Sequence, residues 1–200
     1  MCGINGIISK DKNKDKLIKS MNEKILHRGP DAEGIFVEGD VALGQRRLSI
    51  IDLAGGNQPI YNEDKSILIM YNGEVYNYKE LKEELTEYKF ETESDTEVVL
   101  HGYEKWGHDL PKKLRGMFAY AIYDMNKWEI FISRDQVGTK PLYYYHDGDT
   151  ILFGSEIKSF LAYPKFKKVL NKELFGAFLT FSFTPSDETF VKGVYRLPSG

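Results

Sequence analysis

The sequence predicts an α+β fold, antiparallel sheet packed against helices, and three observations predict it. Aromatic residues make up 14% of the chain, carried mainly by 13 Tyr and 12 Phe, and such side chains fit half-buried strand surfaces. Strand-like runs come in pairs across short polar connections, Met125-Asn126-Lys127 and Asp147-Gly148-Asp149, as hairpins do. Helical periodicity occurs in several segments but does not alternate with strands as a βαβ chain would. No GxGxxG or Walker A sequence is present, which removes nucleotide binding by a phosphate loop.

Taken in order, residues 2–9 read as a strand, with Ile4, Ile7 and Ile8 apolar and Gly3 and Gly6 admitting other backbone closely. Leu17, Met21, Ile25 and Leu26 recur at helical spacing until Arg28-Gly29-Pro30 stops the pattern. Segments 34–38, 41–50 and 66–72 predict strands. Helices are expected at 77–87 and 95–106, the second opened by Ser94 with Glu97 three residues on, a capping-box pattern. MFAYAIYD with WEIFISRD, and PLYYYH with TILFGSE, predict two hairpins, followed by helical stretches over 155–163 and 171–179. VYRLPSG reads as the approach to a further strand, which predicts that the chain is the front portion of a longer protein.

Residues 1–200 suit one domain with a large core, and no repeat, low-complexity tract or linker divides them. A net charge of −3 without a long basic run argues against a nucleic-acid partner. The first nine residues lack the basic start and apolar length of a signal peptide. Cys rather than Gly at position 2 excludes N-myristoylation, and no apolar run is long enough for a membrane span. With a single cysteine, no intramolecular disulfide can form, and a cytoplasmic protein is expected.

That cysteine, Cys2, sits directly behind the initiator methionine. Removal of Met1 would place a thiol, with an ordinary pKa of about 8.5, on the same residue as an α-amine of about 7.7–8. One residue would then supply both nucleophile and base. The plain alternative is a small buried cysteine at the start of a strand. None of His27, His101, His108 and His146 lies in a protease signature, and none has metal-ligand spacing supported by further Cys or His.

A thiol attacking an amide also needs donors for the developing oxyanion. Asn72-Gly73, at the end of the apolar run SILIM, offers a side-chain NH2 and an unobstructed backbone N–H, although Asn-Gly is also a common turn. Arg47 lies in a strand destined for the interior, where its fork matches a carboxylate; an outward-facing surface arginine is the other reading. Asp95, at a helix start, could hold an ammonium group or favour the helix dipole. Arg47 and Asp95 together suit the two ends of a free amino acid.

MCGINGI, HRGPDAEG, RRLSIIDL, GNQPI, YNGEVYNY, ESDTEVVLHGYEKWG, LRGMFAYAIYD, RDQVGTKPLYYY and FGSEIKSF, in that order, resemble the glutaminase domain of glutamine-hydrolysing asparagine synthetase. This is a class II glutamine amidotransferase domain of the N-terminal nucleophile hydrolase type. The resemblance implies a four-layer αββα sandwich, two antiparallel sheets between helices. It implies Cys2 as nucleophile, Asn72 and Gly73 as oxyanion hole, and Arg47 for the glutamine α-carboxylate with Leu48, Ser49, Ile50 and Ile51 completing that wall. Glu74 and Asp95 would take the α-ammonium side. Whether a loop closes over glutamine is not set by the sequence; Gly55-Gly56-Asn57 is the candidate mobile element.

L-glutamine is the implied partner, with a C-terminal synthetase domain in cis in the full-length protein; a homodimer is admitted, but neither nucleic acid nor membrane is expected. The domain itself should need no cofactor or metal. ATP and Mg are expected only in the synthetase half, where aspartate would be converted to asparagine. Gln45, Val137, Thr139 and Gly154 depart from common family residues without touching the inferred catalytic positions. Related amidotransferases with another ammonia acceptor, and a catalytically silent scaffold of the same fold, are the alternatives.

Overall fold

Residues 1–49 and 56–200 are described in the computed structural model of the chain. The first elements are β1 (Gly3–Ile8), α1 (Lys14–Lys24), the hairpin β2 (Ala32–Glu38) and β3 (Val41–Arg47), β4 (Ile60–Tyr61) and β5 (Ile67–Val75). After α2 (Tyr78–Glu84), α3 (Asp95–Trp106) and α4 (Leu110–Lys113) come β6 (Gly116–Asp124), β7 (Glu129–Arg134), β8 (Tyr143–His146) and β9 (Ile151–Gly154). The chain finishes with α5 (Phe175–Phe181) and β10 (Val194–Arg196).

These strands form a six-stranded sheet, β10-β8-β9-β1-β3-β2, and a four-stranded sheet, β4-β5-β6-β7. Every described pairing is antiparallel. Three apolar clusters show the layering. Ile4, Leu43 and Phe153 of the first sheet meet Leu68, Met70 and Ala121 of the second. On its other face the first sheet packs Ile7, Ala42 and Leu152 against Ile18 and Met21 of α1 and Phe160. The second sheet packs Ile69, Tyr71 and Tyr120 against Leu81 of α2, Val99 and Tyr103 of α3 and Leu110 of α4. Helices, sheet, sheet, helices: this is the αββα sandwich.

Period-two alternation generates the layers, because successive strand side chains point to opposite faces. In β1, Ile4 faces the other sheet while Ile7 faces α1. Gly6 is required by packing, since a Cβ there would sit 2.0 Å from the Phe153 ring. β1 is central, with Gly3 opposite Arg46 of β3 and Asn5 opposite Gly154 of β9. Its open end carries Cys2.

Several predicted boundaries shift. β2 starts at Ala32 rather than 34, and β3 ends at Arg47 rather than 50. Residues 155–163 form a 3-10 segment, Ile157–Ala162, instead of an α-helix. Ser159 directs both its N–H and its hydroxyl to the Glu156 carbonyl, at 3.1 and 2.8 Å, and Pro164 disfavours α geometry at Tyr163. The expected helix at 171–179 begins as a 3-10 turn over Lys172–Leu174 before α5.

Ser94 caps α3 by accepting from Thr96 N at 3.2 Å, but the predicted capping box does not form. Glu97 turns away and accepts instead from Glu91 N, Thr92 N and Thr92 Oγ1 at 2.8, 2.7 and 2.6 Å. Glu97 thereby ties the 91–92 segment to the start of α3. His101, also buried, places Nδ1 2.7 Å from Glu104 Oε2 and Nε2 3.6 Å from Glu97 Oε1.

Burial opposes both charges in this cluster, and the hydrogen bonds outweigh it. His101 rises to about 9 through its bond to Glu104 and the nearby charge of the Glu97 carboxylate, which together outweigh its burial. Glu97 falls to about 2 through His101, Glu91 and Thr92. A raised imidazole stabilises fully below its unfolded value of 6.5, and that contribution is lost as pH climbs through about 9. The depressed carboxylate contributes above 4.5 and is lost only as pH falls through about 2. Thermal unfolding midpoints should therefore decline from pH 6.5 to 9 in the wild type, with a shallower decline in His101→Gln. Equal slopes in the two proteins would contradict the assignment.

Candidate active site

Cys2 lines a small cleft of about 60 Å³ together with Arg47, Leu48, Gly73, Glu74 and Asp95. The Cys2 thiol accepts from Leu48 N at 3.3 Å and donates to Leu48 O at 3.5 Å.

Two motifs without chemistry of their own hold Cys2 in place. Arg28 Nε donates to Cys2 O at 2.8 Å, and Arg28 Nη1 donates to Glu156 Oε1 at 3.1 Å. Burial would push the Glu156 carboxyl up, but bonds from His27, Arg28 and Lys158 hold it below its ordinary value. Next to Glu156, Ser155 Oγ accepts from Ile4 N at 3.0 Å while Ser155 N donates to Ile4 O at 2.9 Å. HRGPD and FGSE therefore converge on the strand that carries Cys2.

HRGPD also builds the neighbouring wall. A Cβ at Gly29 would meet the Arg46 carbonyl carbon at 2.4 Å, so glycine lets this turn lie flat on the end of β3. Asp31 Oδ2 accepts from Ser49 N at 2.8 Å, and Asp31 N donates to Arg47 O at 3.1 Å. Arg47 is buried, and its Nη1 donates to Asn57 Oδ1 at 2.8 Å. Gly56 lines the cleft beside it. Ile50, Ile51 and Gly55 lie outside the described residues.

The facing wall comes from β5 and α3. Asp95, the first residue of α3, is buried, and its Oδ2 accepts from Tyr71 OH and Val75 N, each at 2.8 Å. Burial raises its carboxyl above the ordinary value, against the pull of those two bonds. The Tyr71 phenol is pushed well up by burial and by Asp95. Gln58 continues the β4–β5 pairing by side chain: its Oε1 accepts from Tyr71 N at 2.6 Å and its Nε2 donates to Tyr71 O at 3.2 Å. Gln45, one of the departures from the family pattern, donates to the same carbonyl at 3.4 Å.

Asn72 and Gly73 occupy consecutive positions of β5, opposite Ala119 and Phe118 of β6. A side chain on Gly73 would strike Met117 O at 2.5 Å, so strand packing alone already demands glycine there. Asn72 is 1% exposed, and its Nδ2 has no acceptor among the described residues. Buried amide nitrogens are normally paired; this one is a spare donor. Asn72 itself does not line the cleft, whereas Gly73 does.

Sequence reasoning missed Arg28, Asp31, Gln58, Ser155 and Glu156. All five lie within the quoted motifs, but their work is positional and depends on contacts between distant segments. Asp135 belongs with them, accepting from Thr139 N and Lys140 N at 2.7 and 3.0 Å. It folds the RDQVGTKP loop so that buried Lys140 Nζ reaches Met1 Sδ at 3.5 Å. Among the described residues, no group of three or more His, Cys, Asp or Glu is placed to hold a metal ion, and no helix is long and apolar enough to cross a membrane.

The arrangement brings a thiol, a guanidinium and two carboxylates to one cleft at the end of a sandwich of two antiparallel sheets. The chain is 41% identical over 207 residues to "Asparagine synthetase [glutamine-hydrolyzing] 1" of Bacillus subtilis, covering 100% of this chain and 33% of that protein. It is 43% identical over 220 residues to "Putative asparagine synthetase [glutamine-hydrolyzing] 2" of Methanocaldococcus jannaschii, covering 98% and 42%. The chain thus spans less than half the length of these curated relatives.

In fold, it is similar to the glutamine phosphoribosylpyrophosphate amidotransferase of B. subtilis, with a TM-score of 0.69 and 24% identity over 80% of this chain and 43% of that one. The family profile described as a glutamine amidotransferase domain matches residues 1–200. With its sandwich fold and its relatives, the chain belongs to the glutamine amidotransferase domain family.

Proposed function

We propose that this domain hydrolyses L-glutamine to L-glutamate and ammonia through a γ-glutamyl thioester on Cys2. The observation that carries the reading is the single cleft shared by the Cys2 thiol, Arg47, Glu74 and Asp95. Arg47 offers a fork for the α-carboxylate, with Leu48, Ser49, Ile50 and Ile51 as its wall. Asp95 and Glu74 offer carboxylates for the α-ammonium. Glutamine so held would present its side-chain amide to the thiol.

With Met1 attached, the Cys2 nitrogen is an amide and cannot accept a proton. Once Met1 is removed, the free α-amine takes the thiol proton and the sulfur attacks the amide carbon. Asn72 Nδ2–H and Gly73 N–H stabilise the oxyanion. The tetrahedral intermediate collapses as the α-ammonium returns the proton to the departing nitrogen, releasing ammonia. Water, deprotonated by the same amine, then opens the thioester to glutamate and restores the thiol.

In the longer protein the ammonia would be consumed by a C-terminal synthetase domain that makes asparagine from aspartate with ATP. A cytoplasmic setting suits a thiol that must stay reduced.

The test is ammonia release from glutamine by matched preparations with and without Met1. The Met1-free protein should release ammonia and glutamate in equal amounts, while the Met1-retaining protein should be inactive. No release from the first, or equal rates from both, would overturn the proposal.

Asp95→Asn should raise KM for glutamine by about tenfold or more, as expected for loss of a charge-assisted contact, with a smaller change in kcat. Burial raises the Asp95 carboxyl above its ordinary value, so ionising this residue costs the fold some stability. Stability contributed by this residue therefore falls as pH rises above its unfolded value, and the variant should melt no lower than wild type at pH 7. A lowered melting point with unchanged KM would show that Asp95 serves the fold alone.

A further inference from the structure

α5 has the sequence FGAFLTF, without a charge, yet none of its residues is buried. A helix that is apolar all round is ordinarily covered on every side. Phe175 and Phe178 lean on Phe190, with ring centroids 5.7 and 5.1 Å apart. The other side is open: Leu179 is 80% exposed, and Phe181 and Phe183, with rings 6.1 Å apart, are 58% and 57% exposed. Phe178 and Phe183 also border a groove of about 330 Å³ with Tyr143, Ile157, Phe190 and Arg196. Contiguous exposed apolar surface of this kind marks an interaction site.

The groove is built rather than incidental. Arg196 Nη2 donates to Thr184 O, Thr184 Oγ1 and Ser186 O at 3.3, 3.3 and 2.6 Å, pinning the segment after α5. Arg196 lies in β10 near the end of the 200 residues and lines this groove. The matched region is only 33% of the B. subtilis relative and 42% of the M. jannaschii one. The uncharged face asks for an apolar partner held close at hand, and a domain in cis meets both conditions.

We propose that the open face of α5, together with Phe183 and the adjoining groove, is where the synthetase portion of the longer protein docks on this domain through an apolar surface of its own. The identity of that occupant rests on the reading under Proposed function. None of the docking residues lines the Cys2 cleft, so docking and glutamine hydrolysis can fail separately.

The experiment compares amide hydrogen exchange over residues 175–183 in the 200-residue chain and in the polypeptide as its gene encodes it. The longer polypeptide should exchange there at least about tenfold more slowly, as burial at an interface requires. Leu179→Asp and Phe181→Asp should abolish that difference while leaving ammonia release by the 200-residue chain within about twofold, as exposed substitutions do. Equal exchange in the two wild-type proteins would overturn the proposal, as would a reading frame that ends at Gly200. It would equally fail if the 200-residue chain proved to be a dimer by light scattering that Leu179→Asp dissociates, because a second copy would then cover the face.

Discussion

Cys2→Ala should lower kcat for glutamine hydrolysis by on the order of 10⁴-fold or more, the scale seen when a covalent nucleophile is removed, with the fold intact. The thiol's described bonds are confined to Leu48 N and O, at 3.3 and 3.5 Å, and sulfur is a weak donor and acceptor. The strand behind Cys2 is held independently by Arg28 at Cys2 O and by Ser155 at Ile4. Melting points of variant and wild type should therefore agree closely. Stopped assays for ammonia, with glutamate counted in parallel, measure the loss. Wild-type turnover in Cys2→Ala would remove the covalent mechanism altogether.

Asn72→Ala is expected to show the opposite of an ordinary core mutation. Leaving a buried polar group unpaired costs about 1–3 kcal/mol, and Asn72 Nδ2 is such a group among the described residues. Replacement should not lower the melting point, because no described acceptor of Nδ2 is abandoned. Activity should behave quite differently. Removing one oxyanion donor typically costs about 10²–10³ in kcat, and since the donor engages charge that develops only in the transition state, KM should change little. A destabilised variant with normal kcat would make Asn72 a structural residue. Gly73 is less informative, because Met117 O already excludes any side chain there.

Much of the fold was legible where local chemistry and tertiary packing agree. Alternating apolar runs around short connections identified the β6–β7 and β8–β9 hairpins, and Ser94 marked the start of α3. β4 escaped notice because two residues carry no period, and its place depends on Gln58 pairing with Tyr71. The segment at 157–162 was misjudged because its apolar spacing suits either helix type; the hydroxyl of Ser159 and the following proline favour the tighter one. Glu97 has the spacing of a capping box, but backbone amides at 91 and 92 and the imidazole of His101 compete for its carboxylate.

Residues with reactive or charged groups could be nominated from sequence, and the structure collects Cys2, Arg47, Gly73, Glu74 and Asp95 around one cleft. Arg28 and Glu156 could not be nominated in that way. They are separated by 128 positions, and each is an unremarkable surface charge until the fold joins them behind Cys2.

The central claim is that Cys2 with a free α-amine is the nucleophile. Intact-mass analysis after exposure to a glutamine analogue bearing a leaving group at its side-chain carbonyl end tests this most directly. The account predicts one adduct per chain, located on Cys2, in the Met1-free protein and none in the Met1-retaining protein or in Cys2→Ala. Equal labelling with Met1 in place, or an adduct on any other residue, would contradict it.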